Sequence, residues 1–453
     1  MNQDRGALGR EPIGSLFRKL AIPAVTAQLI NMLYNVVDRI YIGHIPQVGY
    51  LALTGVGVVM PIVMAVSAFA SLVALGGVPL ASMAMGREDY EKAHRILGNS
   101  FSMILITSLT LSLFISLFKE PLALLLGASQ DTLPYSLAYL RIYGLGTLFV
   151  QISLGLNAYI SAQGFAKTAM KTVALGALLN IILDPIFIFL FKMGVQGAAL
   201  ATILSQGVSA LWVLSFFLKG DSYLKIKRAY MPLEAPLARR ILGLGLSPFI
   251  MTITESILVS AFNANLQRYG GDLYVGVMTV LSTSMQFAFL PLSGMTQGAQ
   301  PIVSYNYGAG NQDRVKAAFR LLIKSALVFT GSFFLAVQIF PALFIGIFSN
   351  SQDLIRAGVG PMRIYFMGLI GMGVQVSCQQ TFLALGQART SIFLALLRKV
   401  IMLIPFIYIF PLIFEDKIYA IFLAEPVADI IAALTTLVLF IRFLHKELSE
   451  EAA

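Results

Sequence analysis

The sequence predicts an all-α membrane protein, twelve spanning helices arranged as two six-helix bundles related by a parallel pseudo-twofold repeat. Three observations predict it. The composition is 57% hydrophobic and 12% charged, against roughly 45–50% and about 25% in soluble domains. Twelve apolar stretches are long enough to cross a bilayer, which takes about 20 mostly apolar residues. The chain also repeats itself at one offset: Arg141-Ile142-Tyr143 returns as Arg363-Ile364-Tyr365. Gly164, Ala166, Lys167 and Thr168 return as Gly386, Ala388, Arg389 and Thr390, and Pro79, Ser82 and Gly86 as Pro301, Ser304 and Gly308. Three segments in one register imply two copies of one unit, with function sought at their interface.

The first stretch, 18–43, follows Arg5 and Arg10 and opens on Arg18 and Lys19. It is too long for a removable signal peptide and lacks the small-residue cleavage site, so it reads as a span. The next are 51–80 and 95–118, joined by a basic loop with Arg87, Lys92 and Arg95. Then come 134–162, which opens near Arg141, and 170–191, which contains Pro185. The stretch 195–218 completes the first lobe, residues 1–218. A basic run with Pro232 and Pro236, residues 219–240, reads as a surface linker. The second lobe, 241–453, repeats the plan with stretches 240–267, 273–303, 316–348, 361–385, 391–414 and 418–444. An even number of spans per lobe makes the repeat parallel.

The net charge of +10 would point to nucleic acid in a soluble protein. Here it follows alternate loops, at Arg87, Lys92 and Arg95, at Lys167 and Lys171, along the linker, at Arg314, Lys316 and Arg320, and at Arg389, Arg442 and Lys446. The loops between carry about one basic residue each. By the positive-inside rule both termini are expected in the cytoplasm of a cell-membrane protein, with no nucleic-acid partner. The single cysteine, Cys378, and the separated histidines His44, His94 and His445 make no metal cluster. No phosphate-binding loop of the ATPase type is present. Neither an enzyme nor a cofactor is expected.

Charged and amide side chains inside spans need a reason, because a mid-bilayer carboxylate costs about 2.5–3.5 kcal/mol on insertion scales. Asp38 closes a helical stripe with Gln28, Asn31 and Asn35. Such a stripe faces protein or water rather than lipid. Asp184 follows Asn180 by one turn, and Pro185 frees backbone carbonyls nearby. Thr202 reaches a comparable depth on the sixth span, with Gln206 and Ser209 continuing its face. Asp38, Asn180, Asp184 and Thr202 thus form one layer of oxygen ligands, suited to Na⁺ or to a proton. The second lobe does not copy them: Asp38 maps to about Asn263, and Asp184 to apolar residues near Pro405. It has instead Glu255, Glu425 and Asp429, with Arg398 and Lys399 in the eleventh span, one expected to snorkel and the other to pair with a carboxylate such as Glu255. The roles of these four beyond Glu255 are not fixed by the sequence. The expectation is a one-sided site, with ion chemistry in the first copy.

The chain resembles the multidrug and toxic compound extrusion (MATE) family. The resemblance runs through PLASMAMGREDYEKAHR and PIVSYNYGAGNQDRVKAA after the second and eighth spans, YNVVDRIYIG in the first, and LNIILDPIFIF with GAALATILSQ across the fifth and sixth. It implies an ion site at Asp38, Asn180, Asp184 and Thr202, and matches Glu255 to a helix 7 glutamate of some members. It also implies a secondary antiporter that exports organic, amphipathic cationic compounds in exchange for H⁺ or Na⁺. Substrate-cavity candidates are Tyr34, Asn35, Asn157, Glu255, Gln286 and Gln375. The tenth span lacks an acidic residue found in some members, and Asn157 stands where others carry an acid in the fourth. The partners expected are a small organic substrate and membrane lipid, and the working unit a monomer. The alternative reading is a lipid-linked oligosaccharide flippase of the same superfamily.

Overall fold

The computed structural model describes residues 7–348 and 351–447. Among them, twelve helices are long and apolar enough to cross a membrane. They are α1 Ile13–Gly43, α2 Leu51–Gly86, α3 Tyr90–Leu125, α4 Leu133–Ala162, α5 Ala166–Leu190 and α6 Val195–Leu218, then α7 Ala235–Gly271, α8 Leu273–Gly308, α9 Gln312–Ile339, α10 Gln352–Ala384, α11 Ala388–Ile413 and α12 Lys417–Leu444. The polar tails at 1–6 and 448–453 lie outside the described residues.

Three of the boundaries that differ from the sequence expectation have a local cause, two of them a proline. The ninth helix stops at Ile339 rather than near residue 348, and a short helix, Pro341–Gly346, follows. Proline drives the residue before it out of the helical region, and Phe340 sits at φ −121°, ψ 46°. The tenth helix opens at Gln352, where Ser351 accepts from the Leu354 amide as an N-cap. The seventh begins at Ala235, inside the stretch read as linker, because Pro236 is preorganised for a first helical turn.

The repeat is visible in the backbone. Gly164 and Gly386, one repeat apart, both take positive φ, +90° and +76°, at the turns after α4 and α10. In Arg141/Tyr143 and Arg363/Tyr365 the arginines are exposed and each tyrosine is buried in the core of its own half. Helices α5 and α11, equivalent in the repeat, each carry a π-helical stretch, Ile186–Leu190 and Leu397–Leu403. Between α7 and α8 the chain reverses at Gly271, whose φ of +67° and ψ of −168° a residue with a Cβ rarely adopts.

Packing differs between the two ends of the molecule. Near the basic loops one hydrophobic core includes residues of both halves, among them Val73, Tyr159, Ile241, Leu244, Ile302 and Leu383. At the other end each half has its own core, around Val59, Tyr143 and Ile203 in the first and Phe262, Phe366 and Phe422 in the second. The halves therefore join at the basic-loop end and separate away from it. The joint is backbone against backbone: a Cβ on Gly245 would stand 1.7 Å from the Leu72 carbonyl oxygen, and one on Gly86 would stand 1.9 Å from that of Tyr305. Only glycine permits this approach.

Two further ties hold the basic-loop end. The linker is stitched to the first half, with Asn99 accepting from the Glu234 amide at 2.7 Å and Arg95 pairing with Glu234 at 2.9 Å. The segment ahead of α1 is held by the second half. Asn306 donates to the Leu8 carbonyl at 2.9 Å, and Arg314 to those of Leu8 and Glu11 at 3.1 and 2.7 Å.

Candidate functional site

In the first half, α1, α5 and α6 bring together the four residues expected to share a layer. Asn180 and Asp184, one turn apart on α5, are buried; Asn180 Nδ2 donates to Asp184 Oδ1 at 3.2 Å and reaches Thr202 Oγ1 at 3.4 Å. Asp38 is buried on α1, and its carboxyl group lies within electrostatic range of that of Asp184. Asp38 Oδ1, Asn180 Oδ1 and Asp184 Oδ2 have no hydrogen-bond partner within the protein. Buried polar atoms are nearly always partnered. These three orphaned oxygens, one of them on the amide that reaches Thr202, therefore form a cradle suited to protons or a hard cation.

Two tyrosines wall this layer. Tyr34, half-buried one turn before Asp38, lies within electrostatic range of both carboxylates, as does Tyr139 of α4, which stacks on Tyr143 with ring centroids 5.7 Å apart. Tyr139 is the residue that sequence reasoning missed. Its signal was available, since Tyr135, Tyr139 and Tyr143 recur every fourth residue. Nothing in that spacing says which face meets Asp38.

The stripe on α1 divides. Asp38 turns into the first half, whereas Asn35 is exposed and folds back onto the Asn31 carbonyl at 2.6 Å. Gln28 crosses to the second half and donates to Gln297 at 3.2 Å. Asn157 lies near the basic-loop end of α4 and donates to the Ala169 carbonyl at 3.2 Å. Ala169 precedes Asn180 by eleven residues, about 16 Å along a helix at 1.5 Å per residue. Asn157 is thus not brought to the carboxylates. Gln286 is exposed on α8. Gln375 is buried inside the second half with its amide toward Gln379 at 3.5 Å, so in this conformation it is not on an open surface.

In the second half the charges expected from the sequence gather into two ion-paired groups. Lys399 pairs with Glu255 and donates to the Met251 carbonyl at 3.0 Å. Arg398 pairs with Asp429 at 2.5 Å and Glu425 at 3.0 Å. Neither cation snorkels. The π-helical stretch at Leu397–Leu403 contains both, and it presents Arg398 to α12 and Lys399 to α7. The side chains of Lys399 and Arg398 are 7% and 8% exposed, against 60% for Glu255. A mid-span carboxylate so exposed faces water, because lipid excludes it.

Among the described residues no group of His, Cys, Asp and Glu could hold a metal in the manner of a metalloenzyme. The family model for MatE matches residues 23–186 and again 248–409, once in each half. The chain belongs to the MatE family. It is accordingly a multi-pass membrane transporter of the MATE family and not an enzyme. It is 24% identical over 423 residues to the multidrug export protein MepA of Staphylococcus haemolyticus (strain JCSC1435), covering 92% of each chain. To MepA of Staphylococcus aureus (strain MSSA476) it is 25% identical over 431 residues, 94% of each. Among solved structures it is similar to a MATE in the bent conformation, with TM-score 0.93, 23% identity and complete coverage of both chains. It is also similar to an outward-facing multidrug resistance MATE transporter, with TM-score 0.91, 23% identity and coverage of 99% and 100%. At that identity the likeness is one of fold, and it supports the MATE architecture of two six-helix halves.

Proposed function

We propose that this MATE transporter is a secondary antiporter, exporting organic, amphipathic cationic compounds in exchange for inward H⁺ or Na⁺ by alternating access. The observation that carries this reading is the buried Asp38–Asp184 pair with Asn180 and Thr202. Two carboxylates side by side away from water cannot both stay charged without a proton or cation between them. The site supplies four oxygen-bearing side chains for it, and the positive group within electrostatic range of Asp38, Arg39, is exposed rather than in the layer. Binding removes negative charge from the meeting point of α1, α5 and α6, so these helices repack when the ion arrives or leaves.

The relatives named as multidrug export proteins support export of varied compounds. By the positive-inside rule the basic loops support a cytoplasmic position for both termini and for the joined end of the halves, and with it an outward-opening conformation. A proton supplies about 1.4 kcal/mol per pH unit, and a monovalent ion about 2.3 kcal/mol per 100 mV.

Efflux of a fluorescent organic cation from proteoliposomes, under separate pH and Na⁺ gradients, tests the reading. Wild type is expected to run on one gradient, and Asp38→Asn and Asp184→Asn to lose that dependence. Normal gradient-driven transport by both variants would remove the proposed coupling site. Translocation of a lipid-linked sugar without any cation gradient would point to a flippase instead.

A further inference from the structure

We propose that the charge cluster of the second half, Glu255, Arg398, Lys399, Glu425 and Asp429, is a second proton-binding site whose exchangeable proton resides on the Glu425–Asp429 pair.

The first argument is charge balance. Lys399 and Glu255 neutralise each other. Arg398 alone serves two carboxylates, Glu425 and Asp429, one turn apart on α12 and both buried. One guanidinium leaves one negative charge over, in a place where an uncompensated charge costs several kcal/mol. Among the described residues the other cation within electrostatic range of the pair is Lys399. Lys399 is taken by Glu255 and the Met251 carbonyl, and the neighbouring ionisable group, Tyr365, brings no positive charge.

The second argument is geometric and independent of the count. Asp429 Oδ2 has no hydrogen-bond partner in the protein, in a side chain only 1% exposed. It is packed against Gly368, where an added Cβ would stand 2.9 Å away. A proton bound at the pair, taken from water and returned to it, makes one carboxyl neutral and converts an orphaned acceptor into a donor-bearing group.

The third is architectural. The cluster is built from α7, α11 and α12, which the repeat maps onto α1, α5 and α6, the helices of the Asp38–Asp184 site. Tyr365, counterpart of Tyr143, lies within electrostatic range of Glu425, Glu255 and Asp429. The two halves thus keep the place of the site and change its chemistry, from an oxygen cradle to an acid pair held by an internal cation. Glu255 is the member of the cluster that meets water, so exchange runs past its pair with Lys399.

The test reads protonation directly and needs no transport, so its failure is separable from failure of the antiport reading. Infrared difference spectra of the full chain in lipid, in H₂O and D₂O, report the carbonyl stretch of protonated carboxyls at neutral pH. In Asp38→Asn/Asp184→Asn, which leaves the second half intact, one protonated-carboxyl band is expected to persist. Adding Asp429→Asn, or separately Glu425→Gln, should abolish it. Absence of the band in the first variant overturns the proposal, as does its survival in both additions. If Asp429→Asn does not yield folded protein, Glu425→Gln decides in its place.

Discussion

Gln28 and Gln297 meet between the two halves, the amide of the first donating to the amide oxygen of the second at 3.2 Å. Gln28 stands just past the place where α1 and α8 lie backbone against backbone, with Gly298 against Ala21 and Gly294 against Val25. The pair belongs to the closed side of this conformation, and the alternating access proposed above requires it to part.

Cross-linking therefore arrests the cycle. In a Cys378→Ser background, which removes the one native thiol, Gln28→Cys and Gln297→Cys joined by a short cleavable reagent should stop efflux. Reductive release should restore it. Unchanged export by fully cross-linked protein would show that these helices need not separate.

The glycine joint gives a second expectation. Gly86→Ala puts a methyl group within 1.9 Å of the Tyr305 carbonyl oxygen, and overpacking of this kind costs about 1–3 kcal/mol. The strain falls only on the conformation joined at the basic-loop end. Spin-label distances across that end should lengthen, and efflux should fall by roughly tenfold, since 1.4 kcal/mol is a factor of ten in an equilibrium. Unaltered distances would mean that the joint yields elsewhere.

Asn180→Leu separates coupling from binding. It removes the amide that donates to Asp184 Oδ1 and leaves a buried acceptor unsatisfied, at about 1–3 kcal/mol. Gradient-driven efflux should drop by an order of magnitude or more, while equilibrium binding of the same fluorescent cation stays within a few-fold. Equal losses in both would place Asn180 in substrate recognition.

Arg398→Met breaks the ion pairs with Glu425 and Asp429. Stranding a partner of a buried pair costs about 3–5 kcal/mol, so the midpoint of thermal unfolding in detergent should fall clearly. Combining it with Glu425→Gln and Asp429→Asn should recover most of the loss. No recovery would mean that Arg398 acts through packing.

Much of the fold was legible because membrane insertion writes it in one dimension. Long apolar stretches, basic loops and the Arg-Ile-Tyr repeat each follow from local composition. The layer of Asp38, Asn180, Asp184 and Thr202 was legible for a related reason, as helical rise converts sequence position into depth. Azimuth was not. Tyr139 and Gln375 lie on helices placed correctly, yet which way each faces depends on helix rotation, which a single sequence does not specify. The Arg398–Lys399 pair was misread for a sharper reason. In a regular α-helix adjacent residues point 100° apart, so one of them seemed bound to leave the protein interior. The π-helical stretch at Leu397–Leu403 accommodates both, and no residue type in it announces that geometry.

The tie between Arg314 and the carbonyls of Leu8 and Glu11 makes α1 a lever. Its amino end is pinned to the second half, its far end carries Asp38, and Pro23 interrupts its hydrogen bonding between them. A push at the far end is thus felt at a fulcrum on the opposite half. The two copies share a mechanical linkage as well as a common plan.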